Sequence, residues 1–569
     1  MQTTEKIPPK AEEKKADPAL SNHEKNQDLL QSRRTSAPGR NKAYIHANEI
    51  TMALSCPKRA LLNREGESSP FLLPDKTEYF HQLDLLLEPY HLQRGQTGDT
   101  PERSLQILRE DGCGRDLRFQ SGKLRTTIPL LFEKEDGTYQ AIYPICSVHP
   151  KESLLPLLFT DQAIAEASGV IISEHAFLYL DKQAKRQKDS RPSDFFKTET
   201  RLKKMHGGFH KISADAMLEA MKKQISNKDF RNLVTDVFEH QADDYASRKV
   251  KACTSPSRCP FYSYCWKDDQ LPDDSALLLT NFSNRDALVL ESARRLKDLS
   301  GKDIDGSPMQ YAQIQADRPG GCFMDVPALQ TWMDTLVWPI TYLDFEWDTF
   351  ALPPYEGMKP FDVLCFQYSI HIEQKDGTLE HSAFYAGGDC RKAFIEHLLE
   401  EIPASGSIMV FNMEGAEKLR LMQLAEQFEE YRKPLEALCE RMVDLSLPFE
   451  NGAYYDLRQR GKSSLKTLLP LFSDHSGYES LDVHNGMEAV FAYRKAGRSD
   501  DPAEAAAIAE AISDYCSMDT YAERELFLGL QKKLEQAGQN AASEQKITAQ
   551  KSLEPENPGL NSQKQGTED

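Results

Sequence analysis

Long apolar runs are missing from this chain. None approaches the roughly 18 residues that a helical membrane span requires, so a bilayer-spanning helix is excluded and a cytoplasmic location is expected. The opening stretch MQTTEKIPPKAEEKKADP is charged from its start and has no apolar centre of the kind a secretory leader needs. Cysteine is sparse, with 11 in 569 residues. Without a leader, this excludes a disulfide-stapled scaffold and predicts reduced thiols, except where the spacing is that of metal ligands. Positive charge is also short. A formal net charge of -19 repels a phosphate backbone at long range, so any nucleic-acid contact must use local basic patches or metal ions.

The chain is long enough for two to four folded units at about 150 residues each. Residues 1-40 and 536-569 are polar and poor in aromatics, and both are expected to be disordered tails. Residues 41-272 have the mixed periodicity of an α/β module, with a helix over Ala47-Arg64, strands at Leu124-Phe132 and Tyr139-Cys146, and helices at Leu155-Ser168 and Ser213-Ser226. Within it, Lys182-Lys211 holds ten Lys/Arg against three acids, which reads as a nucleic-acid patch or a solvated loop. Residues 273-337 read as a helical connector, with short helices at Asn284-Leu299, Pro308-Gln315 and Val326-Leu336. Residues 338-535 then predict strands at 338-347, 362-372 and 382-387, a helix at Arg391-Glu401 and a strand at 407-412. A helix at Glu414-Glu430, a strand at Arg441-Leu445, and helices at Leu465-Phe472, Gly486-Ala496 and Pro502-Gln536 complete the order. Fold class is therefore α/β.

In WPITYLDFEW, side chains alternate faces, so Asp344 and Glu346 point the same way at the end of an apolar strand. Two like charges there call for a cation; a lone pair of acids facing water is the bland alternative. In SDYCSMDTYAERE, Tyr515 and Asp519 are four apart and share one helical face. A strand-borne D-x-E followed by a late helical Y-x3-D resembles the DEDD exonuclease superfamily, in its Tyr-bearing branch. That resemblance implies a ribonuclease-H-like fold, a mixed sheet with flanking helices. It also implies an acid four residues after an Asn at the end of the fourth strand. Here Asn412 is present, but Ala416 stands at that offset; Glu417 is the favoured substitute and Glu414 the other. Asp444, in RMVDL, is a further candidate, or a strand-end cap.

Cys253, Cys259 and Cys265 succeed one another at gaps of five residues, and Cys56 lies far upstream. One distant Cys with a later triplet resembles the iron-sulfur nucleases of the RecB and AddB type and their CRISPR-associated relatives. This implies a restriction-endonuclease-like α/β module carrying a [4Fe-4S] cluster; zinc and unliganded thiols stay open. A cluster would close a loop of about 200 residues, whose entropy makes such a clasp useful. The nuclease carboxylates of those relatives are not kept: Pro129 takes the Asp position, and Pro144 and Cys146 take the Glu and Lys positions. Gln162 matches their Gln motif without its aromatic partner. The first module thus reads as a catalytically degenerate relic.

The whole arrangement over about residues 45-535 resembles an uncharacterised bacterial family that fuses these two modules. The expectation is a metal-dependent 3'-5' exonuclease acting on DNA or RNA, with single-stranded ends as substrate. Asp344, Glu346, Glu417 and Asp519 would hold two Mg2+ or Mn2+ ions and Tyr515 would orient water. The alternative is a noncatalytic iron-sulfur protein that binds nucleic acid or scaffolds a complex, and a redox sensor is the third reading.

Overall fold

The computed structural model describes residues 43-65, 76-204, 210-247, 251-253, 258-267, 270-283, 294-317, 321-473 and 477-551. The expected N-terminal tail lies outside them, as do residues 552-569 and most of the helix expected at Asn284-Leu299.

Six strands build the first sheet: β1 (Ile45-His46), β2 (Cys113-Ser121), β3 (Leu124-Glu133), β4 (Tyr139-Ile145), β5 (Ile172-Leu180) and β6 (Phe196-Glu199). Their order is β1-β3-β4-β5-β6, with β2 also paired to β3. Leu124, Thr126 and Ile128 turn inward at alternate residues of β3, and the helix Leu155-Ala167 covers that face with Leu158, Phe159, Ala163 and Ile164, whereas Leu130 packs with Tyr79, Leu83 and Leu178. A short pair, β7 (Arg201-Lys203) and β8 (Lys211-Ser213), lies beyond it. The helix expected over Ala47-Arg64 is two helices, Ala47-Ser55 and Pro57-Glu65. Cys56 between them is extended (φ -165°, ψ 106°), because a residue before proline is driven out of the helical region.

The stretch 273-337 contains helices Pro308-Ala316 and Val326-Met333, and between them β9 (Cys322-Met324). β9 pairs antiparallel with β15 (Tyr454-Asp456), so this stretch is stitched into the C-terminal half of the chain.

The second sheet consists of β10 (Ile340-Thr349), β11 (Val363-Glu373), β12 (Leu379-Tyr385), β13 (Ser407-Val410) and β14 (Met442-Asp444), in the order β12-β11-β10-β13-β14. β12, β11 and β10 run antiparallel; β13 and β14 run parallel to β10. β10 is central and apolar on both faces, as a doubly covered strand must be. Ile340 and Tyr342 pack beneath Leu468, Leu469, Ala489, Ala522 and Leu526, which come from the helices Leu465-Phe472, Gly486-Ala496 and Pro502-Lys551. Leu343 and Phe345 pack on Phe394, Leu421 and Leu435 of three helices on the other side. The chain is therefore α/β, with mixed sheets flanked by helices. The terminal helix runs on to Lys551, past the boundary expected at residue 535.

The two sheets share an apolar seam. Leu352, after β10, is buried with Tyr79, Leu83, Leu178 and Phe195. Beside it the Arg186 peptide N-H donates to the Met358 carbonyl at 2.8 Å, and Gly357 N-H donates to the Arg186 carbonyl at 2.9 Å.

Candidate metal centre

Because β10 places Asp344 and Glu346 on the face beneath the terminal helix, both meet Asp519 there. One carboxylate oxygen from each of the three lies within 4.8 Å of the others, and among the described residues no other such group of three His, Cys, Asp or Glu ligands occurs. The register with β11 shifts between Glu346 and Trp347. This bulge ends the strict alternation just past the site, a placement typical of bulges.

Glu346 and Asp519 are buried, and loss of solvent pushes all three carboxyls above their ordinary range. Asp344 rises to about 8, through burial and then the charge of Asp519. Asp519 rises to about 6, through burial, held down by hydrogen bonds from Tyr478 and Tyr515 and by Lys466. Glu346 is raised as well, through burial and then the charges of Asp344 and Asp519. Three carboxyls so placed cannot all ionise unless a cation joins them, which makes this donor set fit a hard divalent metal.

The surrounding residues orient these acids. Tyr478 donates to Asp519 Oδ1, and Cys516 Sγ donates to Asp344 Oδ2 at 3.0 Å. Lys466 Nζ stands 5.2 Å from the Tyr478 ring centre and 5.0 Å from that of Tyr515, its amine donating to the His484 carbonyl. Gly486 opens the neighbouring helix with no side chain, and a Cβ there would lie 3.1 Å from Glu346 Oε2.

The middle acid divides into distinct roles. Glu414 points outward, 72% exposed, paired with Lys418 at 2.5 Å. Glu417 is buried; it lies outside the three-carboxylate group, but burial and then the charge of Asp344 raise its carboxyl. Asp444 accepts the backbone N-H groups of Asn412, Met413 and Ser446 at 3.0, 2.8 and 2.8 Å. It is a clamp on the turn that begins at Asn412, whose φ of 68° is left-handed, a region Asn tolerates better than most residues. Sequence reasoning missed Tyr478, Lys466, Cys516, Gly486 and the buried Glu523, the last four residues after Asp519. Only the helical spacing from Asp519 could have flagged Glu523.

In the first module, Cys56 lies at the helix break and Cys259 N-H donates to the Cys253 carbonyl at 2.8 Å. The thiols of Cys259 and Cys265 are raised by burial; Cys253 and Cys56 add to this at Cys259, and Cys56 and Cys259 at Cys265. The four cysteines thus reach one another electrostatically, although no three of their sulfurs fall within 4.8 Å. None of the eleven cysteines forms a disulfide.

Pro129 and Pro144 line a cavity of about 210 Å3 together with Phe80, Arg94, Arg115 and Asp116. Its charges are paired: Arg115 with Asp84 and Arg94 with Asp116, each at 2.6 Å. Gln162 is structural, donating to the Ile172 carbonyl at 2.8 Å. Next to it, Asp161 is buried beneath Thr126 and Tyr143, and burial pushes its carboxyl to about 7. The basic stretch is partly neutralised, Lys197 pairing with Asp181 and both Arg201 and Lys211 with Glu199.

Residues 341-464 match the family described as a domain of unknown function, DUF2779. No curated protein and no solved structure matches the chain. Among the described residues, no helix is long and apolar enough to cross a membrane.

Proposed function

We propose that residues 338-535 form a metal-dependent nuclease of the DEDD type, releasing nucleotides from a 3' end of DNA or RNA. The observation that carries this reading is the convergence of Asp344, Glu346 and Asp519, 175 residues apart in the chain, into one buried acidic group. The sheet order β12-β11-β10-β13-β14, antiparallel then parallel, supports a ribonuclease-H-like fold for the module. Asp344, Glu346, Asp519 and Glu417 would hold divalent ions, which when bound supply charge for an in-line displacement at phosphorus. The chain's own groups do the rest. Tyr515, bonded to Asp519, orients the attacking water. Lys466, exposed beside Tyr515 and Tyr478, meets the incoming phosphate and offsets the acids' repulsion. Tyr478 and Cys516 fix the rotamers of Asp519 and Asp344, because a nuclease loses rate when its ligands drift.

In the first module, Cys56, Cys253, Cys259 and Cys265 would hold a [4Fe-4S] cluster. What supports grouping these four is that Cys253 and Cys56 act on the thiol of Cys259, and Cys56 and Cys259 on that of Cys265. The prolines and paired charges at 129 and 144 support a noncatalytic role for this module, that of gripping nucleic acid.

The test is digestion of end-labelled single-stranded DNA and RNA by the full chain with Mn2+. Mononucleotides should leave the 3' end, and EDTA should stop the reaction. A well-folded protein that leaves every substrate intact but binds it would establish the rival reading, a scaffold. Ala416 at the middle-motif offset favours that rival.

A further inference from the structure

Backbone register sets Lys151, Lys203 and Lys211 in a row at one end of the first sheet. Lys151 and Lys203 are parallel neighbours, the Lys203 N-H donating to the Pro150 carbonyl at 2.8 Å, and Lys203 is paired directly with Lys211 across β7 and β8. Cross-strand partners turn their side chains to the same face. That face is the outer one, because Leu202, next to Lys203, is buried in the core of the module and successive side chains alternate. Arg201 and Lys211 share Glu199, at 2.9 and 2.6 Å. Lys151 is exposed and, among the described residues, has no acidic partner. Like charges directly opposite one another destabilise a sheet, so a register that aligns three lysines calls for an anion from outside the chain.

The row lies where parallel strands end. β4 and β5 run parallel; beyond β4 follow His149 and Lys151, and beyond β5 follows Lys182. The Leu180 N-H donates to the Ser147 carbonyl at 2.9 Å, which keeps the two exits side by side. The crevice outside the carboxyl ends of parallel strands is where open α/β sheets gather ligands. Burial, and then the charges of Lys203, Lys182, Lys211 and Lys151, hold the His149 imidazole below its ordinary range. The chain after Lys182 crosses to the second module. Arg186 is its anchor, the backbone bonded to Met358 and Gly357 at 2.8 and 2.9 Å and Nε donating to the Pro353 carbonyl. Lys182, Lys185 and Lys188 of this strap are exposed and, among the described residues, have no acidic partner. The strap thus leads from the lysine row to the segment that follows β10, the strand carrying Asp344 and Glu346.

We infer that Lys151, Lys203 and Lys211, with Lys182 and Lys185, form a phosphate-binding track that takes the backbone of a nucleic-acid strand and leads it towards the module holding the acidic group. The inference rests on the reading of the first module as a grip on nucleic acid, and it gives that grip a surface. Ammonium groups are point charges without the fork that reads a base edge, so the track takes phosphate without regard to sequence. Its continuity with the metal-fitting module favours a nucleic-acid strand over an acidic protein segment, since only the former brings phosphate to that centre.

Fluorescence anisotropy of a labelled single strand of about 20 nucleotides, as DNA and as RNA, tests this with the full-length protein in EDTA between about 50 and about 200 mM salt. Lys151→Gln, Lys203→Gln and Lys211→Gln combined should weaken binding at least about ten-fold and flatten the slope of log affinity against log salt by about 2, each single-strand phosphate contact contributing about 0.7. Lys223→Gln, Lys228→Gln and Lys302→Gln combined remove the same charge from exposed positions elsewhere and should leave the slope unchanged. Should the row variant fail to fold, Lys151→Gln with Lys182→Gln replaces it, with the slope flattened by about 1.4. A row variant with wild-type affinity and slope would overturn the inference and leave the grip standing, as would equal loss in the row and remote variants. Competition by poly-glutamate as strong as by unlabelled oligonucleotide of equal charge would also overturn it, in favour of an acidic protein segment. A wild type that binds neither DNA nor RNA would overturn the grip reading itself. One that binds through the row yet releases no nucleotides with Mn2+ would keep the track and remove the nuclease.

Discussion

Asp344 and Asp519 are placed where an ionised carboxylate is unstable alone, and that fixes what their replacement should do. Asp344→Asn and Asp519→Asn each keep volume but remove charge that would balance a cation, so cleavage should fall by about 1,000-fold or more with the fold intact. The double variant should be scarcely slower than either single, because groups acting as one unit are not additive. Single-turnover rates with circular dichroism as the folding control check this; full rate in both variants would misplace the centre. Protonation gives a second outcome. Carboxyls raised to about 8 and about 6 hold protons in the folded chain that the unfolded chain releases above about pH 4. Their stabilisation is complete below that value and is lost as pH rises through the folded values. The metal-free protein should therefore lose Tm between about pH 5 and pH 8. Mn2+ requires the ionised forms, so its affinity should rise over the same interval and added Mn2+ should recover Tm at pH 8. Thermal melts with EDTA or Mn2+ decide it, and a Tm indifferent to both pH and metal would count against the site.

Elements whose cause is local were legible from sequence. The helices Arg391-Glu401, Leu465-Phe472 and Gly486-Ala496 have the expected bounds, because their periodicity and flanking turn residues are complete in a short window. β2, CGRDLRFQS, was not recognised: its outward-facing residues are Arg, Asp and Gln, and its pairing to β3 is what makes it a strand. β9 escaped for the same reason, its partner lying about 130 residues away. At the site, Asp344, Glu346 and Asp519 were readable from period two and period four. Tyr478, Lys466 and Glu523 were not, since each is brought to its neighbours only by the packing of separate segments. The helix Gly486-Ala496 shows how packing makes a site. Arg494 grips buried Asp348 through two bonds of 2.7 Å, which anchors the helix to β10 and brings Gly486 against Glu346. Gly486→Ala should therefore crowd Glu346 and weaken Mn2+ binding several-fold. Tm should change little, because Gly486 is the first residue of its helix, outside the interior where Ala is favoured over Gly. Titration calorimetry beside a melt separates the two effects; unchanged affinity would mean that Glu346 is free to move aside.

At the scale of the whole molecule, the β9-β15 pair and the Leu352 seam set where the chain can be divided. A fragment starting at residue 338 lacks β9 and exposes the edge of β15, so it should melt several degrees below one starting at residue 300. Equal melting of the two would show that β9 contributes nothing to the second sheet's stability. The cysteines make a parallel claim on the first module. Purified without oxygen, the protein should be brown and absorb broadly near about 400 nm. Cys259→Ser should lose the colour and become protease-sensitive within residues 41-272, as a module whose folding draws on a bound cluster would. A colourless protein of equal stability would remove the cluster.

The acidic group has a birth order. Asp344 and Glu346 leave the ribosome 175 and 173 residues ahead of Asp519, and the group closes only when the terminal helix docks across β10 and β11. A chain whose synthesis stops anywhere short of that helix can possess the sheet, its aromatic core and the first pair of acids, yet has no third carboxylate to complete the centre. Products truncated before that helix would thus lack the complete acidic group, whatever chemistry the group supports.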